Sequence, residues 1–111
     1  MTQVVRANRK KGDVFSLGCV QGNGTLVNGR NASVNRVSTG VYDVSFLQTA
    51  DPSCYIVQLT LMQNSGNDDY MINYDIKTQN GFRVEVREQD NAGSPGGLRD
   101  EDFDFLVIQI N

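Results

Sequence analysis

"STGVYDVSFLQTADPSCYIVQLT", residues 38–60, places two alternating apolar–polar segments on either side of a short turn. Tyr42, Val44 and Phe46 recur at every second position in the first half, and Tyr55, Val57 and Leu59 in the second. A period of two is the mark of a half-buried β-strand, because successive side chains point to opposite faces of a sheet.

The same period recurs along the chain. Phe15, Leu17 and Cys19 alternate in "DVFSLGCV", and Phe82, Val84 and Val86 in "FRVEVRE", with Arg83, Glu85 and Arg87 on the solvated side. "ASVNRV" and "DYMINYDI" are weaker strand candidates, and "FDFLVIQI" closes the chain. Between the strands stand turn clusters: "GNGTLVNGRN", "TADPS", "NSGNDD", "TQNG" and "DNAGSPGG". No window carries a helical period. The sequence therefore predicts an all-β, antiparallel β-sandwich, jelly-roll-like, over residues 13–111, preceded by a basic arm over residues 1–12.

The last strand departs from the pattern. Phe103, Phe105 and Val107 make one face apolar, while Leu106, Ile108 and Ile110 make the other apolar as well. The outer side of a two-layer sandwich should be polar, so both faces of this strand call for cover. Either a loop folds over it, or it lies at a subunit interface around a symmetry axis. The short hydrophilic connections favour the interface, with Leu106, Ile108 and Ile110 in it.

The chain has 111 residues and a net charge of −3. One domain with a modest core fits that length, and the charge points to neither nucleic acid nor an anionic membrane. The charge is unevenly placed: Arg6, Arg9, Lys10 and Lys11 give the first eleven residues +4, leaving −7 on the rest. A basic arm on an acidic body suits docking onto an acidic protein surface better than phosphate binding, since no aromatic is interleaved with it. No segment reaches the roughly 20 apolar residues of a membrane span. No apolar run marks a signal peptide.

With no histidine in the chain, Ser-His-Asp and Cys-His catalysis and imidazole metal ligation are excluded. Asp68 with Asp69, and the run "DEDFD" at 100–104, are the carboxylate candidates. Nothing in their spacing imposes the facing pair, about 5–9.5 Å apart, of a glycosidase, and the twelve-residue calcium loop is missing. "GSPGG" lacks the lysine of a phosphate-binding loop and reads as a hairpin connection. No enzyme, cofactor or metal is expected. Cys19 and Cys54 read as small, buried or half-buried free thiols, with Cys19 on the face of Phe15 and Leu17. The "NGT" at Asn23 and "NAS" at Asn31 read as chance acceptor patterns. In the turn set, Asn67, Asp69 and Tyr70 form a candidate glycan contact, with Tyr70 stacking on a sugar and the polar side chains bonding its hydroxyls.

The order "VNRVSTGVYDVSF…PSCYIVQLT…GFRVEVREQDNAG…DEDFDFLVIQI" resembles the small β-sandwich at the tips of bacteriophage tail fibres and in other phage virion proteins, including head fibres and capsid decoration knobs. The resemblance covers residues 34–110 and rests on Gly40–Phe46, Tyr55–Thr60, Gly81–Val84 and Phe103–Val107. It implies a homotrimer on the outer surface of a virion, made in the host cytoplasm, and no catalytic residue. A fibre tip ordinarily ends a longer chain with an anchor and a shaft, whereas here only the basic arm precedes the first strand. A capsid decoration or cement protein fits that arrangement: Arg6, Arg9, Lys10 and Lys11 would contact the major capsid protein. The alternative is a receptor- or glycan-binding tip of a tail or head fibre.

Overall fold

Alternation becomes structure where each strand finds a partner for its backbone and a core for one face. The computed structural model describes residues 13–51, 55–62, 69–88 and 96–109. These form β1 (Val14–Val20), β2 (Leu26–Arg30), β3 (Ser33–Ser38), β4 (Val41–Ser45), β5 (Tyr55–Met62), β6 (Tyr70–Thr78), β7 (Gly81–Glu88) and β8 (Asp102–Gln109). Two four-stranded antiparallel sheets result. The β8 sheet has the order β2-β1-β8-β5, and the β7 sheet the order β3-β4-β7-β6.

The core lies between them. Tyr42, Val44, Phe82, Val84 and Val86 from the β7 sheet meet Tyr55, Val57, Phe103, Phe105 and Val107 from the β8 sheet. Phe46 is the aromatic hinge of this layer, its ring 5.1 Å from Phe15, 5.3 Å from Tyr55 and 6.0 Å from Phe82. Edge-to-face contacts of this kind add to the area term.

The two halves of residues 38–60 do not pair with each other. β4 enters the β7 sheet and β5 the β8 sheet, so the turn between them crosses the sandwich. The connection read as a hairpin at "GSPGG" falls mostly outside the described residues, and the chain on either side of it does pair antiparallel. After β7 the chain returns antiparallel for one bridge, Arg87 opposite Leu98, and then β8 joins the other sheet.

β1 carries a further correction. The register slips between Val14 and Ser16, so that Phe15 and Ser16 are both buried and the phase beyond them inverts. Gly18 and Val20 face inward; Leu17 and Cys19 face out. Only glycine fits at position 18, where a Cβ would stand 2.7 Å from the Phe105 ring. Cys19 is therefore exposed rather than buried, and is a free thiol; Cys54 lies outside the described residues.

β2 occupies part of the cluster read as a turn. Its burial pattern has no alternation, and Leu26 alone packs inward. The chain leaves β2 for the other sheet at Asn31, whose φ of 53° is left-handed. The Asn31 side chain holds that corner, donating to the Phe15 carbonyl at 3.1 Å and accepting from the Gln48 N–H at 2.8 Å. Beneath it, the buried Ser16 hydroxyl lies 3.0 and 2.9 Å from the carbonyls of Arg30 and Asn31.

Candidate functional site

The outward side chains of the β8 sheet form two neighbouring rows. Cross-strand register sets Val14, Ile108 and Ile56 side by side, and next to them Leu17, Leu106 and Gln58. Leu106 and Ile108 in the centre are half-buried by their neighbours; Val14 and Ile56 are exposed at 37% and 45%. Arg30, Cys19, Asp104 and Thr60 border the patch. The result is an apolar strip across three adjacent strands, rimmed by polar groups.

The reading of β8 as two-faced is thus met at Leu106 and Ile108, while Ile110 lies outside the described residues. Val14, Leu17 and Ile56 were not anticipated as members. Ile56 was legible in principle, as the apolar residue out of phase with Tyr55 and Val57. Leu17 was hidden by the bulge at Phe15.

The outward side of the β7 sheet carries paired charges, with Met71, 44% exposed opposite Arg87, among them. Arg83 donates to both Asp43 oxygens at 2.7 and 3.1 Å, and that bond holds the Asp43 carboxyl below its usual range against a smaller effect of burial. Asp75 stands across from Arg83 in register, and Arg87 pairs with Glu85 at 3.4 Å. A shallow open depression of about 180 Å³ lies here, bordered by Arg83, Ile76 and Asn80, below the roughly 300–1,000 Å³ of ligand pockets.

The acidic run 100–104 is dispersed by the fold. Asp100 is the hub of one end of the sandwich: it accepts from Arg36 Nε and Nη2 (2.9–3.2 Å), from the Gly40 N–H at 2.7 Å, and lies 3.1 Å from the Tyr42 hydroxyl. Partial burial works to raise its pKa, but the bonds from Arg36, Gly40 and Tyr42 outweigh it and the carboxyl is held low. Tyr42 also reaches the Gly22 carbonyl at 2.8 Å, and its pKa is raised, first by burial and then by Asp100. Glu101 is buried, and Asp102 accepts from the Gly22 N–H at 2.8 Å. Asp104 faces out beside Cys19 and raises the thiol pKa, chiefly by its charge. A thiol so placed stays protonated at neutral pH and is a poor nucleophile.

At the opposite end, Tyr55 sends its hydroxyl to the carbonyls of Thr78 (2.6 Å) and Gly81 (3.0 Å), and burial pushes its pKa up to about 12. Among the described residues no group of three or more Cys, Asp or Glu side chains is placed to hold a metal ion, and no helix is long and apolar enough to cross a membrane.

Of the glycan candidates, Asp69 is exposed ahead of β6. Tyr70 opens that strand opposite Glu88, half-buried and in phase with the core-packed Ile72. Asn67 and the arm residues Arg6, Arg9, Lys10 and Lys11 lie outside the described residues. Asn31 of the "NAS" triplet has its amide committed to the β2–β3 corner, and Asn23 accepts from the Thr25 N–H at 2.9 Å in its own turn. No protein-family model, curated protein or solved structure matches this chain.

Proposed function

We propose that the chain is a self-associating structural subunit of a bacteriophage particle, a homotrimer that decorates or cements the capsid. The observation that carries the self-association is the contiguous apolar strip on the outer face of the β8 sheet, Val14, Leu17, Ile56, Leu106 and Ile108. Burying that strip against neighbouring copies removes it from water at about 25 cal/mol per Å2 of apolar area. The virion role rests on the resemblance of residues 34–110, and the docking role on the charge of the arm. A jelly-roll-like wrapping would draw on the pairing of first strand with last, β1 with β8.

Light scattering on the purified chain tests the assembly: a native mass of three times 12.3 kDa, or a multiple of that trimer mass, is expected, and a stable monomer would remove the trimer. Deletion of residues 1–11 tests the docking. The truncated protein should keep its mass and lose binding to particles; normal decoration by it would end the role given to the arm.

A further inference from the structure

Four strands lie at sheet edges: β2, β3, β5 and β6. An open edge offers unpaired N–H and C=O groups to any passing strand, and proteins blunt it with bulges, charges, proline or short length. β2 has five residues and a register shift opposite Cys19 and Val20. β3 carries a shift at Arg36–Ser38. β6 carries a shift at Asp75–Thr78, the charges of Asp75 and Lys77, and Ile76 at a φ of 48°, a strained value for a β-branched residue. β5, "YIVQLTLM", has none of these. It holds eight consecutive partners on β8 without a shift and contains no charge, proline or glycine.

The direction of its free groups follows from two bonds. Gln109 donates its N–H to the Asp13 carbonyl, on the β1 side of β8, so the Tyr55–Gln109 pair exchanges no bonds. Lys77 Nζ, reaching over from β6, donates to the Tyr55 carbonyl from the open side. The backbone groups of Tyr55, Val57, Leu59 and Leu61 therefore point off the sheet. Lys77 occupies the first; among the described residues nothing hydrogen-bonds to the edge-side groups of the other three.

We infer that β5 is a self-pairing edge, joining antiparallel to β5 of a second copy about a two-fold axis through Leu59. This register uses the three open residues and spares the one that Lys77 holds: Leu59 faces Leu59 of the second copy, and Val57 faces its Leu61, each pair exchanging both bonds. The same register matches side chains like with like on the outer face. Ile56 meets Met62, which are 45% and 55% exposed in the single chain, and Gln58 meets Thr60. It also sets the Lys77 end of one copy beside the other copy's Met62 end, where Asp102 stands on the next strand. Moving the axis to Gln58 would require the Tyr55 carbonyl and leave Met62 without an apolar partner. The contact is independent of the trimer: edge pairing alone gives a dimer, and edge pairing between trimers gives an even multiple of three.

The test begins with native mass. An even multiple of the 12.3 kDa subunit is expected; a monomer or a lone trimer overturns the pairing, the latter while leaving the trimer intact. Gln58→Lys with Thr60→Lys, both at exposed positions, sets like charges directly across the axis and should lower the native mass; because both positions also adjoin the outer-face strip, the opposite-charge pair is what assigns the loss to the edge. Gln58→Lys with Thr60→Glu should restore it. An even mass that survives the double lysine variant overturns the proposal. In a Cys19→Ser, Cys54→Ser background, Leu59→Cys should form an intermolecular disulfide, its Cα atoms about 5.5 Å apart in such a pair. Gln58→Cys should not, and crosslinking at 58 in place of 59 overturns the register.

Discussion

The two sheets differ in where they turn charge outward. Outside the β7 sheet, Arg83 is held by Asp43 and stands in register with Asp75, while Arg87 meets Glu85, so the paired charges lie in water. Outside the β8 sheet, Val14, Ile56, Leu106 and Ile108 meet water with no polar counterpart among them. The difference teaches which surface is finished. A charged ladder is stable as a boundary with solvent, whereas an apolar strip gains free energy when it is covered.

The strongest way to break this contrast is to give the β8 sheet the chemistry of its neighbour. Leu106→Asp together with Ile108→Asp should abolish the outer-face assembly, read as a fall in native mass by light scattering, while the far-UV spectrum keeps its β character. Both side chains face outward, so the core is untouched. An unchanged mass would show that the strip is not a contact.

A smaller effect is expected from the two Arg–Asp pairs. Asp100→Ala strands the Gly40 N–H and takes one partner each from the Tyr42 hydroxyl, which keeps Gly22, and the Arg36 guanidinium, which keeps Thr39; it should cost about 1–2 kcal/mol in urea unfolding, the range for a buried polar group left without a partner. The pair is also pH-sensitive. The folded-state pKa of Asp100 is lowered, so its stabilisation is complete above the unfolded carboxylate value of about 3.9 and is lost as pH falls through the lower folded value. Wild-type protein should therefore lose more stability than Asp100→Ala on acidification below about pH 4, a difference measurable by denaturation at stepped pH.

Asp43→Asn tests the finished face. It removes a pair about one-third exposed on both sides, and should change stability by only about 0.5 kcal/mol, the ordinary worth of a surface ion pair. A larger loss would mean that the β7 sheet depends on its charged ladder. The smallest effect sharpens the border of the apolar strip. Asp104→Asn removes the main cause of the raised Cys19 pKa, so thiol alkylation at pH 8 should become faster, with stability unchanged.

Much of the fold could be read from individual residues. Tyr42 and Val44, Tyr55 and Val57, Phe82 and Val84, Phe103 and Phe105 are buried in the phase that alternation predicts. β2 was not legible, because "LVNGR" has one inward residue and is held by its ladder to β1 rather than by burial. The partners of the acidic run 100–104 were not legible, since its members are adjacent in sequence and their spacing imposes no pairing. The fold sends Asp100 to Arg36, Asp102 to Gly22 and Asp104 to the outer face. Of the apolar strip, the β8 members were legible from a strand with two apolar faces; Leu17 was not, and Val14 needed its neighbour Ile108 to acquire meaning.

What the sequence by itself determined is local: where the chain extends, and which side of β4, β5, β7 and β8 is buried, because side-chain direction alternates with every residue along a strand. What only the tertiary structure decided is which strands meet. β4 and β5 are joined by a short turn yet lie in different sheets, and β1 and β8, at opposite ends of the described chain, are neighbours. The face of Leu17 and Cys19 was decided there too, since one extra residue at Phe15 reverses every direction after it, and that residue is extra only with respect to a partner strand eighty or more positions away.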